Sequence, residues 1–98
     1  SRLALVKEGL PEPELQARFD DGSGLIGYVD MYWPQLGVIG EADGQIKYDS
    51  RDDLVREKVR EDRLRALGLR VVRWMWSDIK DRPADVARRI REAGRLAA

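Results

Sequence analysis

The stretch that decides the fold is Leu25-Ile26-Gly27-Tyr28-Val29-Asp30-Met31-Tyr32-Trp33-Pro34-Gln35-Leu36-Gly37-Val38-Ile39-Gly40-Glu41-Ala42-Asp43-Gly44. Two largely apolar segments, Leu25–Trp33 and Gly37–Asp43, flank a short break at Pro34, which has no N–H to give to a ladder. Strands joined by so short a link are expected to pair as antiparallel neighbours. Both carry acids where a buried strand should be apolar: Asp30 between Val29 and Met31, then Glu41 and Asp43. Side chains alternate along a strand, so Glu41 and Asp43 share a face, and in the right register Asp30 lies beside Glu41.

Carboxylates gathered this closely repel one another unless they share a proton or a cation. The chain has no His and no Cys, which excludes a Ser-His-Asp triad, thiolate chemistry and disulfides. A cation held by carboxylates alone is a hard one, Mg²⁺ or Mn²⁺ in its place. The expectation is a metal site built from Asp30, Glu41 and Asp43. Lys47 would stand beside it to position a nucleophile or stabilise developing charge. A plainer reading stays open: Glu41 bridges to an Arg of the following helix, Asp43-Gly44 is a turn, Asp30 ends a strand and Lys47 is a solvated loop residue.

Outward from this stretch, Ser1–Glu8 reads as the end of a helix, stopped by Gly9 and Pro11. Glu14–Phe19 reads as a strand that makes a hairpin with Leu25–Trp33 through Asp20-Asp21-Gly22-Ser23-Gly24. After a loop at Gly44–Ser50 come a charged helix over Arg51–Leu67 ended by Gly68, and a strand over Leu69–Trp76. Ser77–Lys80 reads as a short helical turn capped by Ser77, and Pro83–Leu96 as a closing helix with Val86, Ile90 and Ala93 along one stripe. The order is α-β-β-β-α-β-α. The last strand is apolar on both faces, with Val71 and Met75 on one and Val72 and Trp74 on the other. That pattern places it inside a sheet covered by helices on both sides.

At 98 residues, with 43% hydrophobic and 37% charged side chains, the chain has the composition of one globular domain over residues 1–98. No apolar run approaches the length of a membrane span and no signal-peptide pattern opens the chain, so a cytoplasmic protein is expected. A start at Ser1 suits a piece of a longer protein with an additional N-terminal domain. The formal net charge is zero, but residues 1–50 hold 4 basic and 9 acidic side chains, and residues 51–98 hold 14 and 9. The basic excess is mostly Arg, whose fork suits phosphate.

Arg56, Arg60 and Arg63 recur at helical spacing and could grip successive phosphates of DNA, or pair with Glu57, Glu61 and Asp62 as a salt-bridged surface. Arg73 stands among apolar residues and needs a partner, for which one of the acids is a natural candidate. Trp74 and Trp76 could stack on bases, though packing suits their positions better. Tyr28 and Tyr32 should share the face of Asp30, and Gln16 could orient a water or a phosphate, or simply sit at the rim.

Taken in order, Tyr28-Val29-Asp30-Met31, Glu41-Ala42-Asp43-Gly44, Arg56-Glu57-Lys58-Val59-Arg60-Glu61-Asp62 and the Leu67–Trp74 strand resemble the very-short-patch-repair endonuclease-like branch of the PD-(D/E)XK nuclease superfamily. The likeness spans about residues 14–93. It implies a three-layer α-β-α fold with a restriction-endonuclease-like core and a mixed four-stranded sheet. It also implies Mg²⁺ (or Mn²⁺) on Asp30 and Glu41, and an endonuclease hydrolysing DNA phosphodiester bonds. The superfamily's Lys, two residues after the Glu, is Asp43 here, with Lys47 as its stand-in. The His that relatives carry shortly after Asp-Gly is replaced by Ile46 and Lys47. The alternatives are a catalytically inactive module of the same fold, binding nucleic acid or regulating as an antitoxin-like protein does, and a protein-interaction domain whose acids pair with Arg.

Overall fold

The computed structural model describes residues 2–43 and 50–97. Its elements are α1 (Arg2–Lys7), β1 (Glu14–Asp21), β2 (Gly24–Trp33), β3 (Val38–Asp43), α2 (Arg51–Ala66), β4 (Arg70–Met75), α3 (Trp76–Asp81) and α4 (Pro83–Ala97). The four strands form one mixed sheet in the order β1-β2-β3-β4. The pairs β1–β2 and β2–β3 are antiparallel, and β3–β4 is parallel, reached through the crossover that contains α2. Among the described residues, no helix is long and apolar enough to cross a membrane.

Local chemistry sets the boundaries. Asp20 and Asp21 belong to β1 rather than to the turn, leaving Gly22 and Ser23 to connect the hairpin. Ser50 caps α2, its hydroxyl accepting the Asp53 N–H at 3.2 Å. Gly68 closes that helix at φ +87°, donating to the Arg65 carbonyl at 2.9 Å. The last strand ends a residue earlier than expected. Trp76 opens a distinct helix, α3, whose start is tied by the Met75 N–H donating to Asp78 Oδ2 at 3.0 Å. Ser77 is therefore not its cap, and the order gains a helix between β4 and α4.

Each face of the sheet has its own core. Leu5, Met31, Trp33, Val38, Val72, Trp74, Ile79, Val86 and Ile90 pack on the side covered by α1, α3 and α4. Val29, Ile39 and Leu64 pack on the side covered by α2, with Phe19, Tyr32 and Val71 against them. Phe19 meets Tyr32 edge to face at 4.9 Å. Tyr28 is exposed, so the two tyrosines do not share the environment expected of them. Gly40 lies where β3 passes under Trp33 and Trp74; a Cβ there would come within 2.5 Å of Trp74 Cη2 and 2.7 Å of Trp33 Cζ3.

Val29 and Met31 belong to cores on opposite sides of the sheet although they are two apart on one strand. The alternation must therefore slip between them. The hairpin ladder passes from Leu15↔Met31 to Ala17↔Val29 without a Gln16–Asp30 pair, and Gln16 sits at φ +49°. The β2–β3 ladder ends close by, at Met31↔Gly40. Past that point the Ala42 N–H donates to the side chain of Asp30, at Oδ2, over 3.0 Å.

The free margin of β4 is plugged. Arg70 turns its N–H toward β3, bonding the Gly37 carbonyl, so by alternation the polar groups of Val71, Arg73 and Met75 point away from the sheet. Arg65 of α2 reaches the Val71 carbonyl at 3.4 Å, Arg89 of α4 reaches the Arg73 carbonyl at 2.6 Å, and Asp78 takes the Met75 N–H.

Candidate functional site

Asp30, Glu41 and Asp43 line one cavity of about 290 Å³ on the α2 side of the sheet, together with Ala42, Glu57, Arg60 and Arg73. Strand alternation carries Glu41 and Asp43 to this face. The parallel register sets Arg73 of β4 opposite Glu41. The helix α2 lays Glu57, Arg60 and Glu61 over them.

The two β3 acids are held by arginine. Arg60 forks across Glu41, with Nη1 at 2.9 Å from Oε1 and Nη2 at 3.2 Å from Oε2. It also donates to Glu57 Oε1 at 3.1 Å and to the Tyr28 carbonyl at 2.7 Å. Arg73 stands among four carboxylates. It donates to Asp43 Oδ1 at 3.2 Å, to Glu61 Oε1 at 3.0 Å and to Glu57 Oε1, and it lies 3.6 Å from Glu41 Oε1. These side chains are all largely shielded from water, so the contacts are screened less than surface ion pairs.

The electrostatics follow from that crowding. The Glu41 hydrogen bond raises the pKa of Arg60 above its ordinary value, against the opposing effect of burial. Burial pushes Arg73 down, but Glu57 and Glu61, with Glu41 and Asp43 behind them, outweigh it and raise it. Burial pushes Glu61 up, and its bonds to Arg73 and Arg65 reverse the sign and lower it. Both arginines are locked in the charged form.

This arrangement does not fit a divalent cation. Among the described residues no group of three or more His, Cys, Asp or Glu is placed to hold one. A guanidinium stands on Glu41 and another on Asp43, where a cation would have to approach, and Asp30 gives one oxygen to a backbone N–H. Lys47 lies outside the described residues.

The expected row of phosphate ligands on α2 is dispersed in the same way. Arg60 and Arg63 are turned inward. Arg63 grips the hairpin, donating to Asp21 Oδ2 at 3.0 Å and Oδ1 at 2.8 Å, to the Gly24 carbonyl at 3.0 Å and to the Leu25 carbonyl at 3.3 Å. This bond, with those from Ser23, holds the Asp21 carboxyl well below the usual carboxylate range. Arg56 alone faces water, 79% exposed and 3.7 Å from Asp53.

Arg73 finds the acid partners its position requires. Glu57 and Glu61 belong to this cluster rather than to a surface belt. Their spacing of four puts them on one helix face, the signal that could have assigned them.

A second cavity, of about 380 Å³, opens beside the first and shares Asp30 and Ala42 with it. Arg2, Leu15, Gln16, Met31 and Trp76 complete its lining. No residue pattern signals it, because it depends on the slip at Gln16 and on Trp76 leaving the strand.

No family model matches the chain, and no solved structure matches it. Two relatives from Mycobacterium tuberculosis strains, the uncharacterized proteins MT2308 and Rv2248, are each 30% identical to it over 90 residues. The alignment covers 92% of this chain and 33% of each relative, so the chain spans about a third of the length of the curated relatives it matches.

Proposed function

We propose that this is a nuclease-like domain of the PD-(D/E)XK type that binds DNA or regulates without hydrolysing it. The carrying observation is the bidentate seat of Arg60 on Glu41, with Arg73 among the remaining acids. A guanidinium on each of the two β3 acids takes the place of the shared cation that would serve as electrophile in a metal-dependent phosphodiesterase site. The mixed sheet between two helical layers and the ordered motifs support the family resemblance. The exposed, loosely paired Arg56 and Lys58 support a nucleic-acid partner, since such surface pairs are weak enough to be redirected to phosphate.

The test is a supercoiled plasmid incubated with the 98-residue chain and Mg²⁺ or Mn²⁺, alongside an anisotropy titration of labelled DNA. Binding that weakens with salt, without nicking under either ion, is the expected result. Metal-dependent nicking that disappears in Glu41→Ala would overturn the proposal in favour of a hydrolytic nuclease. Failure to bind any nucleic acid would leave a protein-interaction domain in its place.

A further inference from the structure

The second cavity carries chemistry that the arginine-locked one does not. Its floor is apolar, formed by Met31 and Ala42, and its rim holds Leu15 and Trp76. Trp33 and Trp74 are buried in the core, whereas Trp76 is 59% exposed, a flat apolar plate that the fold leaves bare. Three polar side chains, Arg2, Gln16 and Asp30, share the lining. A few hundred cubic ångströms with an apolar floor and a few convergent polar groups is the usual make-up of a small-ligand site.

Gln16 supplies an independent pointer. It is the one non-glycine residue with positive φ among the described residues. That conformation is strained for a residue with a side chain and persists only where the surroundings impose it. Here it breaks the hairpin at the Gln16–Asp30 position and brings an amide and a carboxylate to the same cavity. An ionised carboxylate only accepts hydrogen bonds, while an amide both donates and accepts. Together they suit a planar edge that presents an amino group beside a ring acceptor, and thymine lacks that amino group. Trp76 supplies the stacking face such a ligand needs.

We infer that the cavity between Trp76 and the Gln16–Asp30 break is a pocket for one unstacked nucleobase bearing an exocyclic amino group, presented by a nucleic-acid strand. The inference deepens the nucleic-acid reading above and rests on it. Base and backbone are then read by separate parts of the domain: Trp76, Gln16 and Asp30 take the base, and exposed cations such as Arg56 take phosphate.

The experiment is an anisotropy titration of labelled single-stranded oligonucleotides of cytosine, adenine, thymine and abasic composition, with cytidine and adenosine monophosphates followed in parallel by tryptophan emission. Cytosine and adenine strands should bind about tenfold more tightly than abasic ones, the scale of one stacked base, and thymine strands should fall between the two. Trp76→Ala should lose that factor with its melting temperature unchanged, Trp76→Phe should keep most of it, and Asp30→Asn should abolish the preference over thymine. Equal binding of the abasic strand, or an unaltered Trp76→Ala, would overturn the pocket and leave strand binding intact. Quenching by the monophosphates with no strand binding would uphold the pocket and overturn the strand as its source. If neither strands nor monophosphates bind, both readings fall.

Discussion

Arg60 of α2 and Glu41 of β3 meet in a two-pronged contact, at 2.9 and 3.2 Å, that fastens the crossover helix to the sheet. Both side chains are mostly buried, with 12% of Glu41 and 20% of Arg60 exposed. Removing Glu41 leaves the largely buried Arg60 with only Glu57 and the Tyr28 carbonyl as acceptors. Glu41→Ala is expected to lower the unfolding free energy by about 2–3 kcal/mol, somewhat less than for a fully buried pair. Glu41→Gln, which keeps an acceptor, should lose less. Urea denaturation of the three proteins, compared at constant m-value, checks the order.

Charge in the arginine-locked cavity predicts a gain of function. Four acids and two arginines line it, an excess of two negative charges. Replacing Arg60 raises the excess to three and uncovers both oxygens of Glu41. Mn²⁺ should therefore raise the melting temperature of Arg60→Ala and leave the wild type unmoved. Equal shifts in the two proteins would contradict the lock.

The Asp21–Arg63 clamp predicts acid sensitivity. The folded carboxyl titrates below its unfolded value of about 3.9. Its contribution is thus complete above that value and fades as the pH falls through and below it. The stability advantage of wild type over Asp21→Asn should be full at neutral pH and shrink below about pH 4. Urea midpoints across that range measure it.

Gly40 predicts a steric cost. The methyl of Gly40→Ala would press on the rings of Trp33 and Trp74, both fixed in the core. A loss of about 1–3 kcal/mol is expected, as for overpacking generally. Gly22→Ala, in open space, is the control.

Elements with a local cause were legible in the sequence. Pro34 separates β2 from β3, Gly68 ends α2, and Val86 and Ile90 mark the buried stripe of α4, each within a few residues of its effect. Asp30, Glu41 and Asp43 were legible as acids out of place, and they do line one cavity. What neutralises them was less so. The partners of Glu41 lie 19 and 32 residues further on, and only the docking of α2 selects Arg60 for it and Arg63 for Asp21. The slip at Gln16 was hidden for a different reason. Reading faces by alternation assumes an unbroken ladder, and a single residue at φ +49° removes that assumption for everything beyond it.

The outward carbonyls of Val71 and Arg73 and the outward N–H of Met75 are each occupied by a side chain from a flanking helix. An incoming strand would have to evict Arg65, Arg89 and Asp78 before it could zip onto β4. The sheet is thereby barred from polymerising along this border. For a neighbour of the domain that adds a strand, whether another copy or a different chain, the open edge among the described residues is β1.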